Sequence, residues 1–339
     1  MSDLYTFDLP SDLIAQKPAR PRDSARLLVY RMSDGSIADA IFRDIDACLH
    51  PKTTLAVNSS KVELCRWLFA DNKIELFVLE KLDSHTIRAL VRPGKFFKLG
   101  KRVELTEWLS IETTDIDDDG IRTIRLSVPH DDERLLTFEH IPLPPYIQQD
   151  DSLADEYQTV YADRLGSKAA PTAGLHFTDS LLTRLKGLHP FADITLHVGL
   201  GTFTKLTDEH LTSGRLHEEH YEISSSAAKV LDEAEHITAV GTTTVRTLES
   251  ILRTHHSFTE SKGVTDIFIR PGFQFQAVDS MITNFHLPST SLLMLVAALI
   301  ADKRGLSESE AAAELQRIYA HAIHERYRFY SFGDAMLLV

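Results

Sequence analysis

The order of apolar and polar positions divides the chain into three textures. Early on, two short unbroken apolar runs, Leu27-Leu28-Val29-Tyr30 and Thr54-Leu55-Ala56-Val57, predict buried strands. Between 61 and 136 the pattern changes to short alternating segments, as in Lys73–Leu79, Thr86–Val91 and Ile121–Leu126. Turn pairs separate them (Asp71-Asn72, Pro93-Gly94, Asp119-Gly120), and no helical period runs through the stretch. Evenly spaced short strands of this kind predict a small antiparallel β-barrel.

After about residue 140, helix starts appear. Thr178 stands before Leu181-Leu182-Leu185, and Ser224 to Ser226 stand before Ala227 to Ala234. Ser307 with Glu310 makes a capping box ahead of Ala311 to Ile323. Strand candidates lie between the helices, at Ile194–Val198, Ile237–Val240, Met281–Phe285 and Ala335–Val339. Strands alternating with helices predict a layered α/β domain. The expected organisation is a layered α/β/α catalytic domain from 1–60 plus 137–339, interrupted by a β-barrel domain at 61–136.

Composition narrows this only a little. A length of 339 residues suits about two domains. With 43% hydrophobic and 25% charged residues the chain reads as globular. A net charge of −13 argues against non-specific coating of nucleic acid, while leaving room for a local basic patch. Two cysteines, Cys48 and Cys65, cannot build a disulfide framework or a four-thiolate zinc site. The opening Met1-Ser2-Asp3-Leu4-Tyr5 has no basic stretch followed by an apolar one. The longest apolar run, Leu292 to Ala301, is ten residues against the roughly 20 a bilayer requires. A cytoplasmic protein that does not engage a membrane is the expectation.

Ligands of open α/β sheets bind beyond the carboxyl ends of the strands. Four strand candidates here run into small or polar turns: Asn58-Ser59-Ser60, Gly199 to Phe203, Gly241 to Thr244, and Thr283 to Pro288. A further loop, Ala169 to Thr178, leads into a helix. Glycine lets a ligand approach the backbone closely, so Gly199 and Gly201 are candidate contacts. Thr242 equally suits a plain helix cap. His176, His197, His217 and His286 sit in or beside these loops, and a histidine can carry a proton near neutral pH. No HExxH or paired-cysteine spacing is present, so no metal is expected. In the barrel segment, Arg92, Lys95, Lys98, Lys101 and Arg102 place five cations within eleven residues, with Phe96 and Phe97 among them. Such a mixture suits a phosphate backbone and stacked bases. It equally suits a strand edge guarded by lysine against mispairing.

Taken together, these motifs resemble the S-adenosylmethionine:tRNA ribosyltransferase-isomerase family of queuosine biosynthesis. The resemblance runs from Phe7-Asp8-Leu9-Pro10 and Arg22 to Leu27, through Pro142 to Ile147, Tyr157 to Ala162 and Ala169 to Thr178. It continues with Thr195 to Gly199, Gly201-Thr202-Phe203, Gly241-Thr242-Thr243 and Arg246 to Ser250. Asp266 to Ile269, Thr283 to Pro288, Tyr327-Arg328-Phe329 and Gly333 to Met336 complete it. The resemblance implies an α/β domain with an inserted barrel. It also implies ribosyl transfer from S-adenosylmethionine onto 7-aminomethyl-7-deazaguanine (preQ1) at the wobble position of a tRNA anticodon. Adenine and methionine leave, and the ribosyl rearranges to give epoxyqueuosine. No metal or redox cofactor is implied.

That chemistry asks for a base, a proton donor and groups that hold the donor substrate. The acid/base candidates are His176, His197, His286 and His217, with Glu219 and Asp266 as carboxylates. Thr172, Gly174, Gly199, Gly201, Thr202, Gly241, Thr242, Thr243 and Asn284 are candidates for holding S-adenosylmethionine. Arg246 could take its methionine carboxylate, or could instead pair with Glu249 one turn along a helix. Arg92, Lys95, Lys98, Lys101 and Arg102 would face tRNA. The chain departs from the family at Asn58-Ser59-Ser60-Lys61-Val62, where Asn-Asp-Thr-Arg-Val is usual, and at Ser289, where lysine is usual. These departures keep open a relative of the same fold that uses a different acceptor.

Overall fold

The computed structural model describes residues 3–199 and 207–339. The candidates Gly201 and Thr202 lie outside the described residues. The chain separates into two compact units, one of Met1–Lys61, Pro144–Gln148 and Asp155–Val339, the other of Val62–Leu143 and Gln149–Ala154.

In chain order the strands begin with β1 (Arg26–Tyr30), β2 (Ile37–Ile41), β3 (Thr53–Asn58) and β4 (Ser60–Val62). The second unit supplies β5 (Arg66–Phe69), β6 (Ile74–Asp83), β7 (Thr86–Arg92), β8 (Arg102–Glu104), β9 (Ser110–Ile116), β10 (Arg122–Leu126) and β11 (Glu139–His140). The rest are β12 (Arg164–Ser167), β13 (Phe191–Leu196), β14 (Arg215–Ile223), β15 (His236–Val240), β16 (Ser261–Ile267), β17 (Ser280–Asn284) and β18 (Ala335–Leu338). The helices are α1 (Asp179–Lys186), α2 (Asp208–Ser213), α3 (Ser225–Asp232), α4 (Thr242–His255), α5 (Ser291–Arg304) and α6 (Glu308–His324). Thr178, Ser224 and Ser307 cap α1, α3 and α6 as expected, and Ser307 with Glu310 forms the full capping box.

The larger unit carries a nine-stranded mixed sheet in the order β16-β14-β13-β3-β15-β17-β18-β1-β2. Its centre, β13-β3-β15-β17, is all parallel. Alternate side chains of these strands join different cores, which is why the strands read as unbroken apolar runs. Ala56, Ala239 and Met281 pack with Val245, Leu248 and Ile251 of α4 and with residues of α5 and α6. Leu55, Val57, Val240 and Ile282 pack with Leu181, Leu182 and Leu185 of α1 and with Phe42 and Ile45. The apolar run at 292–301 is explained by α5, which is buried over most of its length.

The smaller unit is a seven-stranded antiparallel sheet in the order β11-β5-β6-β7-β10-β9-β8. It surrounds a core that includes Trp67, Phe69, Phe97 and Leu135. Its end strands, β11 and β8, are only two and three residues long and pair with one neighbour each, so the sheet is curled and open where a closed barrel was expected. Residues 137–143, grouped by texture with the α/β part, fall in this unit because β11 pairs with β5. Among the described residues, no helix is long and apolar enough to cross a membrane.

Candidate functional site

The carboxyl ends of β13, β3, β15 and β17 lie along one edge of the sheet, because all four run parallel. β18 runs antiparallel to β17 and pairs Ala335 with Asn284, so the chain just before β18 arrives at the same edge. A cleft of about 470 Å³ opens there. Segments far apart in sequence line it: Ala169 to Ala173, Val198, Gly241 to Thr243, Thr283 to Thr290, and Tyr330-Ser331, with Pro145 and Tyr146. Three of the loops singled out in the sequence, those beginning at Ala169, Gly241 and Thr283, therefore meet in one place.

Of the candidates for holding S-adenosylmethionine, Thr172, Gly241, Thr242, Thr243 and Asn284 line the cleft. Thr172 Oγ1 donates to Asn284 Oδ1 at 2.8 Å, and Asn284 Nδ2 donates to the Tyr330 carbonyl at 3.3 Å, which fixes the amide's orientation. Gly241 has φ +93°, a conformation that favours glycine, and precedes α4 with no side chain to cap it. The first-turn N–H groups of α4 are thereby left for other acceptors. Two residues of the cleft are also held at positive φ without being glycine, Ser289 at +57° and Tyr330 at +70°. Such conformations cost of order 1–3 kcal/mol each and persist where the surroundings enforce them.

His286 is the candidate histidine that lines the cleft. Its Nε2 lies 2.9 Å from Thr283 Oγ1, and its backbone N–H donates to the Tyr319 hydroxyl. Burial pushes its imidazole down to about 4, so the ring is neutral at pH 7. His176 is turned elsewhere. It is buried, stacks against Phe42, and has Nδ1 and Nε2 each 3.1 Å from a carbonyl oxygen, of Ala173 and Gly333. Those contacts leave neither ring nitrogen facing the cleft. The ring of His197 lies over Gly166, where an added Cβ would come within 2.5 Å of Nδ1. Gly174, a candidate contact, serves packing instead: a Cβ there would overlap the buried Tyr161 hydroxyl. Gly174→Ala is expected to lower stability by roughly 1–3 kcal/mol. Thermal unfolding of the single variant, and of Gly174→Ala with Tyr161→Phe, checks this, since the second change should restore part of the loss.

A second, smaller pocket of about 30 Å³ lies beside the first turn of α4. Thr242, Thr243 and Leu292 line both spaces. His217, Glu219 and Arg246 line the smaller one. Arg246 does not pair with Glu249. Its Nη1 donates to Glu219 Oε2 and its Nε to the Ile267 carbonyl, while Glu219 Oε1 accepts from Gly199 N–H. Glu249 instead accepts three backbone N–H groups, of Gln276, Ala277 and Val278. Asp266 stands apart, paired with Arg215 at 3.0 Å on a sheet edge.

Sequence reasoning missed the aromatic wall. Tyr146 and Tyr330 stack with ring centroids 4.6 Å apart and both line the cleft. Burial raises both phenols to about 12, so they are not bases at neutral pH. The unusual segment at 58–60 is accounted for locally. Asn58 bonds both backbone groups of Leu196, and Ser59 and Ser60 bond Ile194 and Ser167, so these side chains tie strands together rather than line the cleft. Among the described residues, no group of three or more His, Cys, Asp or Glu is placed to hold a metal ion.

In the smaller unit the five expected cations fall on the end of β7, the following turn and β8, and all are exposed. Lys95 and Lys101 each hold their ammonium 5.4 Å from the Phe96 ring. Phe97 is fully buried in the core, so Phe96 is the aromatic of the pair that a ligand could reach. Arg102 leans on Glu104 and Ser110, and Arg92 lies 3.9 Å from Glu75.

Comparison with known proteins covers the whole chain. A family profile described as queuosine biosynthesis protein matches residues 2–338. A protein of Thermotoga petrophila named S-adenosylmethionine:tRNA ribosyltransferase-isomerase is 44% identical over 99% of this chain and 98% of its own length. A protein of the same name from Syntrophomonas wolfei is 43% identical over 99% and 96%. The crystal structure of an S-adenosylmethionine tRNA ribosyltransferase from Thermotoga maritima is similar at 35% identity with a TM-score of 0.56, covering 99% of this chain and 100% of that one.

Proposed function

The chain belongs to the family of queuosine biosynthesis proteins, and from that premise we propose that it moves the ribosyl part of S-adenosylmethionine onto preQ1 at the tRNA wobble position. The transferred group isomerises to give epoxyqueuosine, and adenine and methionine are released. The observation that carries the reading is whole-length likeness, since relatives bearing this enzyme name align over 99% of the chain. That likeness disfavours a different acceptor, as does the absorption of the unusual 58–60 side chains into bonds between strands.

In this reading the cleft takes S-adenosylmethionine. Thr172, Asn284 and the start of α4 would hold its polar parts, and the Tyr146–Tyr330 stack offers a flat face to its adenine. The sulfonium acidifies the neighbouring ribose carbon, and His286, neutral and facing the cleft, would accept that proton. His176 and His197 would shape loops rather than transfer protons. The larger unit is read as α/β/α layered, and a tRNA substrate puts its work in the cytoplasm.

Incubation with S-adenosylmethionine and preQ1-containing tRNA, followed by mass analysis of the digested nucleosides, should yield epoxyqueuosine with free adenine and methionine. Consumption of S-adenosylmethionine with preQ1 left intact would point to another acceptor. The exposed cations of the smaller unit would contact the tRNA backbone. Replacing Lys95, Lys98 and Lys101 with alanine should weaken tRNA binding and flatten its salt dependence, by up to about 0.9 in the log–log slope for each phosphate no longer neutralised. An unchanged slope would assign these lysines to guarding the strand edge.

A further inference from the structure

The smaller pocket beside α4 contains polar groups that no described residue satisfies. Thr243 Oγ1 and Arg246 Nη2 are buried, and neither has a hydrogen-bond partner among the described residues. Both residues are more than nine-tenths buried, at 8% and 7% exposure. A buried donor left unpaired costs roughly 1–3 kcal/mol, more when charged, so two in one pocket call for a ligand. The guanidinium is fixed from two sides by Glu219 and the Ile267 carbonyl, which aims the remaining amino group. α4 adds first-turn N–H groups left uncapped by Gly241 and the positive end of its dipole.

The charge pattern selects the ligand. A bare anion would meet the Glu219 carboxylate, which lines the same pocket. A bare cation would meet the guanidinium and the helix N-terminus. A zwitterion carrying both charges on neighbouring atoms satisfies each. The space, about 30 Å³, suits roughly two or three water-sized groups, room for the two carboxylate oxygens and the ammonium with the carbons behind them toward the large cleft. Because Thr242, Thr243 and Leu292 also line the large cleft, a chain attached to that carbon can pass from one space to the other.

We infer that this pocket is the seat of the α-amino-acid head of S-adenosylmethionine, with Arg246 Nη2, Thr243 Oγ1 and the α4 N–H groups on the carboxylate and Glu219 on the ammonium. The inference rests on the reading of the cleft as the S-adenosylmethionine site. It assigns the Glu219–Arg246 pair to recognition of the amino acid rather than to proton transfer.

The test compares binding of S-adenosylmethionine with that of 5′-methylthioadenosine, which keeps the adenosine and the sulfur but lacks the amino-acid head. Calorimetric titration of the full chain gives both affinities. Thr243→Val removes a hydroxyl that makes no bond among the described residues, so it should fold normally. It should weaken S-adenosylmethionine by roughly tenfold or more, the worth of a hydrogen bond to a charged group, and leave methylthioadenosine unchanged. Arg246→Gln should act in the same direction and more strongly. Thr243→Val binding both ligands as the unaltered chain does, or losing both equally, would overturn the inference. An unaltered chain that binds methylthioadenosine and S-adenosylmethionine equally would overturn it too, with the cleft assignment intact. Failure of the unaltered chain to bind either would instead remove the cleft assignment, and the inference with it.

Discussion

His286→Ala is expected to slow ribosyl transfer by about 10²–10⁴-fold, the usual contribution of a positioned acid or base. The affinity for S-adenosylmethionine should change by far less, because a proton-accepting role is expressed in the transition state. The pH dependence carries a second signature. Burial holds the folded imidazole at about 4, well below its ordinary value of 6.5. The ring is therefore already neutral throughout the range from 5 to 8, and its availability as a base should fall only as pH drops through about 4. A histidine of ordinary acidity in this role would give a rate that falls below about 6.5. The same shift acts on stability. Between 6.5 and 4 the unfolded chain binds a proton that the folded ring refuses, so stability contributed here is full above 6.5 and is lost as pH falls toward 4. Single-turnover rates of the unaltered chain and of His286→Ala between pH 5 and 8 decide the matter. A small loss in rate, or equal losses in rate and binding, would reduce His286 to a support for the Thr283–Pro288 turn.

Much of this arrangement was legible in the sequence because burial leaves a mark there. β1, β3, β15 and β17 are covered on both faces, so each reads as a continuous apolar run, and the polar turns after β15 and β17 line the cleft. The α6 capping box was readable because both of its partners are local. What was not legible depends on distant partners. β14 turns Glu219, Tyr221 and Ile223 inward, and its first inward residue is a glutamate, tolerated because Arg246 reaches it from α4. No periodicity rule finds such a strand. The same holds for the Arg246–Glu249 spacing. Helical geometry brings the two within reach, but each has a stronger partner across the fold. His176 was a reasonable candidate by position, yet a sequence does not say which way a ring faces. The stack of Tyr146 on Tyr330 joins residues 184 positions apart, and Tyr330 sits in a left-handed conformation that its residue type does not announce.

The largest expected effect on stability lies at Glu249. Its carboxylate is fully buried and accepts the N–H groups of Gln276, Ala277 and Val278 at 3.0, 3.0 and 3.1 Å. Glu249→Ala removes every one of these acceptors at once and leaves a cavity. The buried amides of Ala277 and Val278, left unpaired, cost roughly 1–3 kcal/mol each, while the exposed Gln276 can turn to water, and with the cavity the expected total is about 3–5 kcal/mol. The damage should not stay local. The segment 276–278 leads directly into β17, which delivers Asn284 and His286 to the cleft, so substrate affinity should fall along with stability. Glu249→Gln keeps one acceptor oxygen in nearly the same volume and should cost less than half as much. The carboxyl also predicts a direction with pH. Burial raises it above its ordinary value, more than the three amides pull it back. A group raised in the folded state binds its proton more readily there than in the unfolded chain, so acidification down to the ordinary carboxylate range favours folding at this site. Denaturant titrations should therefore show the unaltered chain gaining, relative to Glu249→Gln, as pH falls toward 4.5. The opposite trend, or a Glu249→Ala variant as stable as the unaltered chain, would mean that water has replaced the carboxylate as acceptor for these amides.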